Sequence, residues 1–119
     1  MRGYMEKIYL ATPYTHTDRK VMNYRFKKIN YIAGMLMKKN IAVFSPISHT
    51  HPIAVAYGLP KCWEFWKKYD SLFIGWCDEL WVYTANGWKE SIGVEEEIKL
   101  AYKMDKVVRY VDEEYCYGL

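Results

Sequence analysis

Apolar residues along the chain form two kinds of pattern: short continuous runs and longer stretches at helical spacing. The short runs are bounded by turn residues and predict buried strands at 7–11, 41–44, 79–84 and 106–111. Apolar residues three and four positions apart predict amphipathic helices over about 18–39, 61–76 and 90–104. The apolar stripes of these helices consist, in chain order, of Met22, Phe26, Ile29, Ala33 and Leu36, then Phe65, Tyr69, Leu72 and Trp76, then Val94, Ile98 and Ala101.

The alternation of strands and helices predicts the fold class. Four strands separated by helices indicate a parallel sheet with helices on both faces, so we expect one domain over 1–119. The expected fold is a small flavodoxin-like or Rossmann-like three-layer α/β domain with four to five strands. Ligands of such sheets bind beyond the carboxyl ends of the strands. The segments there are 12–19, 45–60 and 83–93, of which 46–60 contains three of the four prolines and is predicted to be the longest loop.

Composition excludes several classes of function. A net charge of +3 without a long basic run argues against nucleic-acid binding, and the absence of an 18-residue apolar run argues against a membrane span. Three cysteines without CxxC spacing fit reduced thiols, and no signal-peptide pattern begins at Met1, so we expect a cytoplasmic protein. Five Trp and twelve Tyr exceed what a small core needs, so some are expected to line a pocket or a subunit interface.

The segment 91–98 carries the strongest chemical signal. Ser91 and Gly93 open a predicted helix directly after a strand, and free backbone N–H groups at such a position bind anions. Glu97 follows on the same helical face as the apolar Val94 and Ala101, which predicts a carboxylate at the edge of the core. Asp70, in the preceding helix, is either a solvated carboxylate or the second member of a pair with divided acid and base roles.

Other polar residues near the strand ends are weaker candidates. His49 and His51 form an H-x-H pair that an extended segment would place on one side, but no third ligand is evident, so no metal is predicted. A role for His49 in hydrogen bonding to a ligand stays open. Tyr9 is either a core tyrosine or a functional one. The first turn, 12–15, lacks the three glycines of a dinucleotide site and the chain lacks a Walker lysine, so we expect no cofactor.

Four segments resemble a known family. Residues 8–14 resemble the first strand and turn of the nucleoside 2-deoxyribosyltransferase superfamily, and 70–78 resembles its helix with two aspartates eight residues apart. Residues 91–101 resemble its S-x-G-x-x-x-E-[LI]-x-x-A signature, in a form similar to the branch that hydrolyses 2-deoxynucleoside 5-monophosphates. Residues 44–52 look like an uncharacterised phage and bacterial subgroup. The resemblance implies the same small parallel α/β fold.

The resemblance also implies roles for individual residues. Glu97 corresponds to the nucleophile that attacks C1 of the deoxyribose, Asp70 to the acid that protonates the departing base, and Tyr9 to the tyrosine that orients the nucleophile. Ser91 and Gly93 correspond to the phosphate-binding turn of the hydrolases. Where that branch has a serine and an arginine in the first turn, this chain has other residues. The remaining substrate-binding candidates are therefore Thr12, Tyr14, Arg19 and His49.

The function implied is cleavage or transfer of an N-glycosidic bond in a 2-deoxynucleoside or its 5-monophosphate, with hydrolysis favoured over transfer. The resemblance also implies a homo-oligomer with sites near subunit interfaces. Two alternatives stay open. One is a glycohydrolase of NAD or an ADP-ribose derivative, which would use the same glutamate chemistry. The other is a non-catalytic nucleotide-binding module in which Glu97 is structural.

Overall fold

The computed structural model describes residues 6–119. The expectation about a signal peptide at Met1 therefore concerns residues outside the described part. The elements are β1 (Lys7–Ala11), α1 (Arg19–Lys38), β2 (Ala42–Phe44), α2 (Pro46–Tyr57), α3 (Trp63–Trp76), β3 (Glu79–Tyr83), α4 (Ile92–Lys103), β4 (Val107–Val111) and α5 (Glu113–Gly118), with a short 3-10 turn at Trp88–Glu90 before α4.

The four strands form one parallel sheet in the order β2-β1-β3-β4. The helices α1 and α5 cover one face, with α3 and α4 on the other, as right-handed crossovers require. This confirms the predicted three-layer α/β class with its parallel sheet. The alternate residues of β1 divide between the two layers: Ile8 and Leu10 face α1, while Tyr9 and Ala11 face α3 and α4.

Helix α1 follows the sequence prediction closely. Asp18 is its N-cap and accepts a hydrogen bond from the Lys20 N–H at 2.8 Å. Its buried residues are Met22, Ile29, Ile32, Ala33 and Leu36, with Phe26 half-buried. The apolar stripe predicted for this helix is therefore the one that meets the sheet.

The predicted loop over 46–60 is wrong, because Pro46–Tyr57 is the helix α2. Pro46 occupies the first turn, where a missing N–H costs nothing, and Gly58 ends the helix at φ 73°. Pro52 lies inside the helix, where proline is normally unfavourable. His49 and His51 are two positions apart on this helix, so they point in different directions. The expectation that both lie on one side of an extended segment is therefore wrong.

The apolar stripe predicted for α3 does not meet the sheet. Phe65, Leu72 and Trp76 are 46%, 69% and 59% exposed. The helix instead turns Ile74 and the neighbouring Phe73 inward, where they join the core with Cys77. Asp70 precedes Ile74 by one turn and so faces the same way. The sequence pattern therefore identified an apolar stripe on α3, but the sheet covers a different side of this helix.

The C-terminal segment after β4 forms α5, which the sequence pattern did not predict. Asp112 caps it by accepting from the Tyr115 N–H at 2.8 Å, and the buried Cys116 packs against the α1 side of the sheet. Lys28 of α1 forms an ion pair with Glu113, which fastens the short helix. No helix within residues 6–119 combines the length and apolar character that crossing a bilayer demands.

Candidate active site

All four strands are parallel, and the direction in which successive strands are added to the sheet changes between β1 and β3. The connection from β1 leads to β2 on one side, and the connection from β3 leads to β4 on the other. Such a switch point opens a crevice at the carboxyl ends of the two strands, where ligands of open α/β sheets bind. Tyr9 lies on β1 directly beside Leu80 of β3, so its side chain is under this crevice on the α3–α4 side.

Helix α4 brings Glu97 to this point. Ser91 caps the helix by accepting from the Val94 N–H at 3.2 Å. Val94 and Ala101 are buried against the sheet, and Glu97, between them on the same face, is only 6% exposed. The expectation of a carboxyl group on the apolar face of this helix is confirmed.

Tyr9 and Glu97 are hydrogen-bonded in the core. The Tyr9 hydroxyl donates to Oε2 of Glu97 at 2.5 Å, across 88 residues of sequence. Burial raises the pKa of Tyr9 well above 10, with Glu97 and Asp70 adding to the rise, so Tyr9 keeps its proton and stays a donor. This bond fixes the orientation of one carboxyl oxygen of Glu97.

Asp70 of α3 supplies a second carboxyl group near the first. Its negative charge raises the pKa of both Glu97 and Tyr9, which shows that the three side chains are within electrostatic reach of one another. Asp70 is half-buried, and burial raises its own pKa to about 7. Within residues 6–119 it forms no hydrogen bond or ion pair with another side chain, so its carboxyl group is available to a ligand.

Glu97 is also shifted toward its protonated form. Burial raises its pKa to about 8; the Tyr9 hydrogen bond opposes this shift and the charge on Asp70 adds to it. When two carboxyl groups both titrate near neutral pH, one can be protonated while the other is ionised. Such a pair is suited to reactions that need one acid and one base or nucleophile.

Aromatic rings form the wall next to this pair. Phe44, at the end of β2, stacks on Phe73 of α3 with ring centres 4.4 Å apart and 9° between the planes. The centre of the Phe44 ring is 5.8 Å from that of Tyr9 and 6.1 Å from that of His49. His49 is exposed, and its Nδ1 is 3.4 Å from the Tyr69 hydroxyl. His49 is thus beside the aromatic wall, and within residues 6–119 it forms no hydrogen bond with Glu97.

The first turn contributes Thr12 and Tyr14. Thr12 is buried at the carboxyl end of β1, and Tyr14 is half-buried with its hydroxyl hydrogen-bonded to Nδ1 of His51. Burial raises the pKa of Tyr14 and lowers that of His51, with Lys61 adding to the effect on His51. Arg19 is exposed at the start of α1, and within the described chain nothing links it to the carboxyl pair.

Sequence reasoning missed Arg25. Its guanidinium donates to the carbonyls of Thr15 at 3.1 Å and of Asn86 at 3.4 Å, so it joins the turns that follow β1 and β3. A side chain at Gly87 would come within 2.7 Å of this group, and Gly87 has φ 89°, so glycine is required there. Arg25 occupies an ordinary helix position, and no signal in the sequence distinguished it from the exposed lysines of α1.

The first turn of α4 lies at the rim of the crevice, after the turn that follows β3. Ser91 satisfies the Val94 N–H, which leaves the N–H groups of Ile92 and Gly93 without an acceptor in the helix. A Cβ at Gly93 would meet only the Ser91 hydroxyl, at 3.9 Å, so packing does not require glycine here. The lack of a side chain keeps these N–H groups accessible to an anion.

Across residues 6–119, no three His, Cys, Asp or Glu side chains come together in a way that could hold a metal ion.

Comparison with known families assigns the chain to one of them. A family model described as a domain of unknown function, DUF1937, matches residues 6–113. The chain belongs to the DUF1937 family. In this DUF1937 domain the matched stretch contains Tyr9, Asp70 and Glu97, so all three side chains of the cluster lie in the part that defines the family. A search of curated proteins found no match.

Proposed function

We propose that the protein cleaves the N-glycosidic bond of a 2-deoxynucleoside or a 2-deoxynucleoside 5-monophosphate. The observation that carries the proposal is the buried cluster at the switch point. It comprises a glutamate held by a tyrosine hydroxyl, with a second, unpaired carboxyl group in electrostatic contact. An isolated buried carboxyl is costly, so a pair of them with raised pKa values supports a catalytic role.

The pair suits a double displacement. Departure of the base builds positive charge at C1 of the sugar, and the Glu97 carboxylate bonds to C1 as the bond to the base nitrogen breaks. Asp70 donates its proton to the base nitrogen, which leaves as a neutral base. Asp70 then accepts a proton from water, which attacks C1 and releases Glu97. Transfer to a second base would replace water in the last step.

The pKa values of Asp70 and Glu97 bear on whether each group can act in these roles at neutral pH. Asp70, with a pKa near 7, is an effective acid and base around that pH. Glu97 has the higher pKa in the free protein, although it must be ionised to attack C1. Positive charge developing on the sugar favours the ionised form of the nearer carboxyl group. The Tyr9 hydrogen bond favours the same form, so Glu97 is ionised as charge develops at C1 while Asp70 carries the proton for the departing base.

A phosphate on the substrate would bind at the start of α4. The unpaired N–H groups of Ile92 and Gly93 and the positive end of the helix attract an anion. Glu97 lies about one and a half turns further along the same helix. Binding energy from a phosphate at this end could therefore position C1 over Glu97. Arg19 and His49 are less well supported as substrate ligands, since both are exposed and neither contacts Glu97.

The test is base release by purified protein. Deoxynucleosides, their 5-monophosphates and NAD are incubated separately with the wild type, Glu97→Gln and Glu96→Gln, and free base is measured by chromatography. We expect release from the deoxy substrates and a loss of at least about 100-fold in Glu97→Gln, as for removal of a catalytic group. Glu96, one position away and paired with the exposed Lys99, should tolerate the change.

Each alternative has its own outcome. Release of base from NAD alone would replace the substrate class with the glycohydrolase alternative. Nucleotide binding without turnover, unchanged by Glu97→Ala, would favour the non-catalytic module. The homo-oligomeric state and a cytoplasmic location stay predictions from the resemblance and composition.

A further inference from the structure

The outer side of α3 is apolar and uncovered. Phe65, Tyr69, Leu72 and Trp76 follow one another by three or four residues and form one stripe, while Ile74 faces the sheet. A helix that is apolar on both sides is normally covered on both sides. Within residues 6–119, α2 faces part of this stripe across a cavity, while Phe65, Leu72 and Trp76 stay 46%, 69% and 59% exposed.

A cavity of about 480 Å³ separates α2 from α3 along this stripe. Thr50 and Ile53 line it from α2, and Phe65, Trp66, Tyr69 and Leu72 line it from α3. It is therefore a wide apolar recess that opens beside the exposed stripe.

Two polar groups of this recess, those of Thr50 and Trp66, are already used within the chain, and the exposed Lys68 also lines it. The Thr50 hydroxyl donates to the Pro46 carbonyl at 2.8 Å, and the Trp66 indole N–H donates to the Pro60 carbonyl at 2.8 Å. Small-molecule sites normally contain a few polar groups that point at the ligand. Lys68 and the Tyr69 hydroxyl are few partners for the several donors and acceptors of a nucleobase, and each group left unpaired costs about 1–3 kcal/mol. The recess therefore suits apolar side chains.

The uncovered surface has the size of a dimer interface. On α2, Ile53 is 49% exposed and Tyr57, one turn further on the same face, is 83% exposed. Together with the α3 stripe they expose on the order of 500 Å² of apolar surface. A standard interface buries about 800 Å² on each partner, somewhat more than half of it apolar.

The stripe is also complementary to itself. Phe65 and Trp76 are equally distant from the midpoint of the stripe, between Asp70 and Ser71, and the same is true of Tyr69 and Leu72. A two-fold axis through that midpoint places each large side chain opposite another large one, as contacts that repeat in both directions require.

We propose that the outer face of α3 packs antiparallel against the same face of a second copy of this chain. In this arrangement Phe65 lies opposite Trp76 of the second copy, whose indole enters the recess between α2 and α3. The interface involves no catalytic side chain, so it is independent of the glycosidase proposal and is tested without substrate.

The first experiment measures mass by sedimentation for the wild type, Leu72→Glu and the control Met37→Glu. Met37 is an exposed apolar residue on α1, 54% exposed, and is remote from the stripe. We expect the wild type and Met37→Glu at twice the 14.2 kDa chain mass and Leu72→Glu at the single mass. Leu72 is 69% exposed in the single chain, so its replacement should leave the circular dichroism spectrum unchanged.

A second measurement tests the register. Tyr69→Cys and Leu72→Cys chains are each prepared with Cys62→Ser, which removes the exposed native thiol. They are mixed and oxidised beside Met37→Cys in the same background. Antiparallel packing about the stated axis places position 72 of one copy opposite position 69 of the other, within disulfide range, about 4.4–6.8 Å between Cα atoms. We expect covalent dimers between the Tyr69→Cys and Leu72→Cys chains and none from Met37→Cys.

Three results would overturn the proposal: a monomeric wild type, a Leu72→Glu variant that stays dimeric, or a dimer in which Tyr69→Cys and Leu72→Cys chains do not link. A monomeric wild type that binds an apolar dye, with binding lost in Leu72→Glu, would assign the recess to a small apolar ligand instead.

Discussion

Glu97 combines features that a structural glutamate rarely has. It is buried, it accepts a hydrogen bond from Tyr9, and it shares its surroundings with Asp70 rather than with a lysine or arginine. Exposed glutamates of the same helix, such as Glu95, pair with Lys99 at 3.2 Å. At the scale of single residues, burial raises the pKa of both carboxyl groups and suits them to proton transfer.

The raised pKa of Glu97 predicts how stability depends on pH. Between its ordinary value of 4.5 and about 8, the native protein holds a proton that the unfolded chain has lost. The free energy of unfolding therefore falls as pH rises through this window, by at most about 1.4 kcal/mol per pH unit from this group. Its contribution is fully present below the ordinary pKa.

Glu97→Gln removes this titration. We expect the variant to gain stability relative to the wild type as pH rises through the window, measured by urea unfolding at several pH values. Asp70 contributes a slope of the same sign between 3.8 and about 7, which the variant retains. Glu96→Gln should keep the wild-type slope. Parallel curves for Glu97→Gln and the wild type would contradict the raised pKa.

Helix ends determine where the rim of the site lies. Asp18, Ser91 and Asp112 each cap a helix with a side-chain oxygen, and Gly58 ends α2 in the left-handed conformation. The cap of α4 matters most for function, because the same turn that Ser91 closes leaves free N–H groups at the crevice.

Substitutions at Ser91 separate the two roles of that turn. Ser91→Ala should lower stability by about 1 kcal/mol through loss of the cap, whereas Ser91→Asp keeps a capping oxygen and should retain stability. If a phosphate binds there, the added negative charge of Ser91→Asp should raise the KM for 5-monophosphates but not for deoxynucleosides. Ser71→Ala, which removes a hydroxyl within α3, is the matched control. Equal KM changes for both substrates would argue against a phosphate site.

At the scale of the whole molecule, the sheet divides the core into two layers. One contains Ile8, Leu10, Ile29, Ile32, Leu36 and Val111, and the other contains Tyr9, Ala11, Ile74, Leu80, Val82, Val94 and Ala101. The second layer also surrounds the buried Glu97, and burying this carboxyl group lowers the stability that the apolar contacts of the layer provide.

Two neighbouring residues of α1 test this division. Leu36 is fully buried and Met37 is 54% exposed. Leu36→Ala should lower the free energy of unfolding by roughly 2–5 kcal/mol, because it leaves a cavity between α1 and the sheet. Met37→Ala should change it by no more than about 0.5 kcal/mol. Thermal or urea unfolding gives both values, and similar losses would show that α1 is packed differently.

Two elements show where local pattern misled the prediction. The prolines of 46–60 favour a loop, but Pro46 is harmless in a first turn and contacts with α1 hold α2 together despite Pro52. In α3, the stripe of largest apolar residues predicted the wrong inward side. A sequence with apolar residues all round a helix does not say which side the sheet will cover.

The sequence by itself determined the strands and most helices, because these depend on periodicity and on interactions within a few residues. It also indicated Glu97, whose position on an apolar face is visible in its neighbours Val94 and Ala101. The tertiary structure alone decided that Asp70 of α3 comes within electrostatic reach of Glu97 and Tyr9, that Arg25 joins two turns, and that the α3 stripe is left exposed. These contacts join residues far apart in the chain, and they depend on the strand order β2-β1-β3-β4, which no local pattern encodes.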